Sequence, residues 1–284
     1  MCNRYLLHVG FPKTASTWLQ NYLQQSQKIN YIGKHVGGPR WCSEEMKSIR
    51  SSLQGLIEPY TTEQVNNIIE NNLEVDPKLP FVLSDEILAK PWKNNPNWVI
   101  EYAQLLNLYF PGAQILLTVR KQSDIACSLY RKHVEKFGIQ SMSMRQWFEE
   151  GAGSQDINFW NRWNFLDYYE GLSRYFTENI TVIPYEMMKV DKEQYCSIIT
   201  DFFGIDDVVL RSDVTVNEVN FKTNSTKIIK MLFKPYLWNK IKREIKTKPD
   251  YDQDLISEIN EQFCENNNKL ADLVDVELQK YGYY

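Results

Sequence analysis

Leu7-His8-Val9-Gly10-Phe11-Pro12-Lys13-Thr14-Ala15-Ser16-Thr17-Trp18-Leu19 reads as an apolar strand, a tight turn and a helix start in direct succession. Such a junction leaves the N–H groups of the first helical turn without intrahelical partners and aims the positive end of the helix dipole into the turn. That is the local chemistry of an anion site. Lys13 adds a mobile charge, and Thr14, Ser16 and Thr17 add hydroxyl donors, so the loop suits a phosphate together with a group attached to it.

Outward from this stretch, short β-rich runs alternate with longer helical patterns. Tyr5 to Val9, Asn30 to Ile32, Phe81 to Leu83, Gln114 to Val119 and Ile180 to Ile183 are nearly continuous apolar runs, the pattern of strands covered on both faces. Apolar residues spaced by three and four predict helices over Ser16 to Gln25, Thr62 to Asn72, Trp98 to Tyr109, Ser123 to Lys136, Ile157 to Phe176, Lys192 to Phe203 and much of Ser225 to Ile241. A further amphipathic helix is predicted from Asp254 towards Lys280. Strands separated by helices require crossover connections, hence an α/β fold with a central parallel sheet flanked by helices in three layers. With 284 residues and no Pro/Gly/Ser-rich linker, one domain over 1–284 is expected, its part from about 225 to 284 helical.

Two further stretches carry chemistry. The strand Gln114 to Val119 ends in Arg120, and Ser128 follows eight residues on, inside the predicted helix. An arginine at a strand end can clamp a phosphate through two parallel N–H bonds, with a helix hydroxyl donating from the side. Phe81-Val82-Leu83-Ser84-Asp85-Glu86 sets two carboxylates just beyond a strand's carboxyl end, the edge at which open α/β sheets bind ligands. Either could act as a general base; both could instead simply complement a helix dipole.

Composition narrows the classes. Hydrophobic and charged fractions of 43% and 24% are those of a globular protein, and no run reaches the ~20 apolar residues of a membrane span. Five scattered cysteines without a CxxC pair argue against a disulfide framework or zinc site and fit a reducing cytoplasm. A net charge of −4 gives no reason to expect nucleic acid as a partner. The charge is uneven, however: Lys222 to Lys248 holds nine basic residues and one acid, Glu244. With Phe233, Tyr236 and Trp238 it reads as a solvated helix face or as peripheral contact with a membrane surface.

The loop departs from the nucleotide-triphosphatase pattern GxxxxGK[ST], because Lys13 falls within the turn rather than at the helix start. GFPKTASTW instead resembles the 5′-phosphosulfate loop of sulfotransferases that use 3′-phosphoadenosine 5′-phosphosulfate (PAPS), with Ala15 for the usual glycine and Ser16 for the usual first threonine. That exchange means either that position 15 needs no positive φ or that it tolerates one at a cost. RKQSDIACSLY is similar to the family's 3′-phosphate motif RxxxxxxxS, and Val182-Ile183-Pro184-Tyr185-Glu186-Met187 with the later Phe202-Phe203-Gly204-Ile205 to its late strand and following helix. Ser84-Asp85-Glu86 resembles the SxE segment of the carbohydrate-type members.

The resemblance implies that PAPS is the co-substrate, held by Lys13, Thr14, Ala15, Ser16, Thr17 and Trp18 at the 5′ end and by Arg120 and Ser128 at the 3′-phosphate. It implies Lys13 and Glu86 as the catalytic pair, no metal ion, and an acceptor glycan or glycolipid. Asp85 and His35 are the alternative bases, and Asn217 to Thr226 is the stretch for a loop over the adenosine. The competing readings are a P-loop nucleotide kinase or NTPase, in which Asp85 and Glu86 would serve magnesium, and a nucleotide-binding protein without catalysis on the same fold.

Overall fold

The computed structural model describes residues 5–34, 44–72, 76–89, 98–137, 142–152, 160, 163–205 and 249–284. Its five strands are β1 (Tyr5–Gly10), β2 (Asn30–Tyr31), β3 (Phe81–Ser84), β4 (Gln114–Val119) and β5 (Ile180–Pro184), all parallel, in the spatial order β2-β3-β1-β4-β5. Every residue of β1 and β3 is buried, which is why these runs show no polar alternation. β1 lies at the centre, with Leu7 beside Leu83 of β3 and Val9 beside Leu117 of β4.

This order creates a switch point. From β1 the chain moves outward to β2 and back through β3, whereas from β4 it moves the other way to β5. The connections leaving β1 and β4 therefore diverge, and the crevice between their carboxyl ends is where such sheets take ligands. Gly10 pairs with Thr118 at that edge, so the loop after β1 and Arg120 after β4 are neighbours by register alone.

The helices are α1 (Ser16–Leu23), α2 (Glu44–Leu53), α3 (Thr62–Asn72), α4 (Trp98–Tyr109), α5 (Gln122–Phe137), α6 (Met144–Trp147), α7 (Phe165–Phe176), α8 (Met187–Val190), α9 (Lys192–Phe203) and α10 (Gln253–Ala271). Short 3₁₀ turns follow at Glu86–Ala89 and Leu278–Tyr281. α4 and α7 pack closely because Gly171 has no side chain: a Cβ there would lie 2.3 Å from a Val99 methyl. Asp191, Asn164 and Asp252 each accept a backbone N–H at the start of α9, α7 and α10, the expected use of Asp and Asn as N-caps.

Two helix expectations are corrected and one helix was missed. The helix expected over Ile157 to Phe176 is interrupted at Trp163 and Asn164: Asn164 caps the helix that starts at Phe165, and Trp163 turns its ring into the core against Phe11, while residues 157–159, 161 and 162 lie outside the described residues. The helix expected from Asp254 to Lys280 ends at Ala271. Val274 and Val276 both pack against the core, and residues two apart cannot share one helix face. α2 was not anticipated, although Met46, Ile49 and Leu53 show the required spacing and are buried. The helix expected over Ser225 to Ile241 lies outside the described residues, as does the whole basic segment Lys222 to Lys248.

Candidate active site

The loop is built by strain and by hydroxyl groups. The Phe11 N–H donates to the Thr118 carbonyl, extending the β1–β4 pairing by one step, and the Phe11 ring anchors against Trp163, Phe165 and Tyr168. Lys13 and Ala15 then take φ values of 76° and 61°, both in the left-handed region. For residues bearing a Cβ this costs about 1–3 kcal/mol each, a strain typical of functional loops. Ala15 thus adopts the glycine-like backbone at a cost, which settles the alternative its sequence left open. Left-handed residues in a turn aim successive N–H groups into one concavity, suited to an anion. Ala15 is also the N-cap of α1 and makes no side-chain capping bond, so the first N–H groups of that helix are left for a ligand.

Beneath the loop lies a polar floor that the sequence reading passed over. His8 is buried in the middle of β1; its Nδ1 is 2.6 Å from Ser84 Oγ and its Nε2 3.2 Å from Thr118 Oγ1. Thr118 Oγ1 in turn lies 2.9 Å from Thr14 Oγ1, which donates to the Phe11 carbonyl at 2.6 Å and lies 3.3 Å from Ser16 Oγ. Burial lowers the His8 pKa to about 3, so the imidazole is neutral and acts as a fixed donor–acceptor joining β3, β1 and β4. Gly10 is required above it, since a Cβ there would lie 2.6 Å from Ser16 Oγ and 2.9 Å from His8 Nε2. The sequence signal was a lone histidine in an otherwise apolar strand. The Thr14 hydroxyl is directed into this floor, so towards a ligand that residue offers its backbone, while Thr17 is exposed and Trp18 is half-buried against Tyr195.

Three of the expected side chains meet at this edge. Arg120 Nη1 donates to the Lys13 carbonyl at 2.9 Å, its guanidinium lies 4.6 Å from the Tyr185 ring centroid, and Nη2 is 3.6 Å from Asp124. Its Nε is buried and has no hydrogen-bond partner among the described residues. Nε and Nη2 form one edge of the planar fork, the edge that takes a phosphate bidentately. Ser128 is buried further along α5. One turn beyond it, Lys132 and Arg131 bring positive charge that acts on the Lys13 side chain. Neither cation was anticipated. Burial first, then these two cations, lower the Lys13 pKa to about 7, while the Glu86 carboxylate opposes the shift. Basic side chains gathered around a strained, uncapped loop fit a site that takes an anion.

Asp85 is placed differently from its neighbour. It is buried and held by Arg50 of α2 at 3.3 Å, whereas Glu86 is only partly buried and opens the 3₁₀ turn. His35 and Asn217 to Thr226 lie outside the described residues.

A parallel sheet whose central strand runs through a strained loop into an uncapped helix, with an arginine delivered from the next strand, defines a P-loop-like α/β fold. The model of the sulfotransferase family matches residues 6–208, and the chain belongs to that family. Its structure resembles a sulfotransferase from Alicyclobacillus acidocaldarius with a TM-score of 0.56 at 16% identity, over 99% of each chain, a likeness of fold. A mouse sulfotransferase solved with PAP matches with a TM-score of 0.43 at 16% identity, over 100% of this chain and 90% of that one. No curated protein gives a significant sequence match. Family membership sets aside the kinase and NTPase reading.

Proposed function

We propose that this sulfotransferase moves the sulfuryl group of PAPS to a hydroxyl or amine of a carbohydrate or glycolipid acceptor. The observation that carries the reading is the strained, uncapped Lys13–Ala15 loop with Arg120 fixed onto the Lys13 carbonyl. The residues fit the co-substrate: a phosphate at the loop would meet the free N–H groups of α1, and a second phosphate would complete the orphaned Nε edge of Arg120. Bound PAPS would supply the sulfuryl group and a phosphate leaving group. Lys13 would then neutralise charge on the phosphate oxygen as its bond to sulfur breaks, and Glu86 would take the acceptor proton as the new S–O or S–N bond forms. The carbohydrate class is favoured by the Ser84-Asp85-Glu86 segment at the carboxyl end of β3, whose glutamate charge acts on Lys13.

The cofactor reading is tested by comparing PAP with ADP, which carries no 3′-phosphate. Hydrogen bonds to charged groups contribute roughly 1.5–3 kcal/mol, and each 1.4 kcal/mol is about tenfold. PAP should therefore bind at least about tenfold more tightly, and Arg120→Ala should erase most of that gap by weakening PAP alone. Calorimetric titration measures both, and equal affinity of the parent for PAP and ADP would sink the reading.

A pH dependence follows from Lys13. With its pKa lowered to about 7 in the free protein, the side chain is largely neutral at pH 8 to 9. A bound anion favours the charged form, so binding takes up a proton and PAP affinity should fall as pH rises above 7, by up to about tenfold per unit. The phosphates stay ionised across this range. Lys13→Arg, always charged, should flatten the profile; a flat profile in the parent removes Lys13 from the site.

A further inference from the structure

Three consecutive residues at the β4–α5 turn are each tied to a distant part of the chain by polar contacts. Arg120 lies over the Tyr185 ring and donates to the Lys13 carbonyl. The Lys121 N–H donates to Glu186 Oε1 at 3.1 Å, and the Tyr283 hydroxyl donates to Glu186 Oε2 at 2.8 Å. Gln122 and Asn267 pair their side-chain amides reciprocally at 3.0 and 3.2 Å, and Gln122 Nε2 also donates to the Trp163 carbonyl at 3.2 Å. Glu186, Gln122 and Asn267 are buried, and Tyr283 is fully so. Gly282, just before Tyr283, takes a left-handed backbone with φ 85°, which favours glycine there.

We infer that Glu186, Tyr283 and Asn267 are positioning residues that fix the 120–122 turn, and through it the Arg120 fork, for recognition of the 3′-phosphate; this rests on the PAPS reading above. Packing alone does not call for such contacts. A buried carboxylate and two buried amides carry a desolvation cost that apolar side chains of similar volume avoid. What they provide is direction: hydrogen bonds fix the path of the backbone on either side of Lys121, and a bidentate fork tolerates little misplacement. Glu186 bridges two segments with its two oxygens, one on the turn and one on Tyr283, so loss of the Tyr283 hydroxyl strips a donor from a buried carboxylate and loosens the side of the turn that bears Arg120. Burial raises the Glu186 pKa and the Tyr283 bond works against that rise, in keeping with a carboxylate dependent on this donor.

The test is calorimetric titration of PAP and ADP into the parent, Tyr283→Phe and Asn267→Ala, with thermal melting of each. Ile69→Val serves as control: Ile69 is buried in α3, away from this turn, and its truncation also lowers stability. Tyr283→Phe and Asn267→Ala should each weaken PAP by roughly three- to tenfold, the loss of about one buried hydrogen bond. ADP affinity should hold in both, and the control should leave the PAP-to-ADP ratio at the parent value. A parent that prefers PAP while both variants keep the full preference, whatever their melting temperatures, overturns the positioning role alone. A parent without preference overturns the PAPS reading together with it.

Discussion

Lys13→Ala should lower kcat for sulfuryl transfer by about 10²–10³-fold or more, the loss expected when a charged donor at a developing negative charge is removed. The fold should survive. The Lys13 side chain is only half-buried, its backbone carbonyl remains to accept from Arg120, and alanine carries the same strain at φ 76° as lysine. Removing it also ends an unfavourable contact, because Lys132 is a like charge against it. Melting should therefore move by little, within the ~0.5 kcal/mol typical of surface changes. Steady-state transfer from PAPS to a sulfated product, measured beside a melting curve, checks both halves. Near-normal kcat in a folded Lys13→Ala protein would remove this residue from the chemistry.

Glu86→Gln should lower kcat by about 10²-fold or more while leaving PAP affinity almost unchanged, the signature of a lost general base. Asp85 provides an internal contrast. Asp85→Asn removes the partner of Arg50 inside the protein, so it should cost stability first, because breaking a buried pair leaves a charge uncompensated. Melting separates the two: Glu86→Gln should melt like the parent and Asp85→Asn clearly below it. Full activity in Glu86→Gln would move the base elsewhere, with His35→Ala as the next variant to assay. A glycan and glycolipid panel with labelled PAPS identifies the acceptor in the same assay format.

The main stretches of the fold were legible because their signals are local. β4, α3 and α4 run over the expected residues, since apolar periodicity is a property of neighbouring positions. The breaks were less legible. The start of α7 depends on Asn164 finding the N–H of Asp167 and on Trp163 finding Phe11, and the second of these contacts is invisible to periodicity. The same divide runs through the site. Lys13, Arg120 and Glu86 announced themselves by residue type at strand ends, whereas His8, Lys132, Asn267 and Tyr283 did not.

What the sequence by itself determined is the parallel α/β architecture, the anion loop after β1 and its sulfotransferase character, since strand, turn, hydroxyls and lysine are contiguous from Leu7 to Leu19. Only the tertiary structure decided that Ala15 takes a left-handed backbone, that the Thr14 hydroxyl serves the floor of the loop, and that Asp85 is committed to Arg50 while Glu86 stays partly exposed. Each of these depends on residues far apart in the chain, as with Arg120 reaching the Lys13 carbonyl across 107 positions. Local propensity specifies elements; which carboxylate is buried in an ion pair and which stays partly exposed is fixed only when the sheet's register and the packing of α2 bring the partners together.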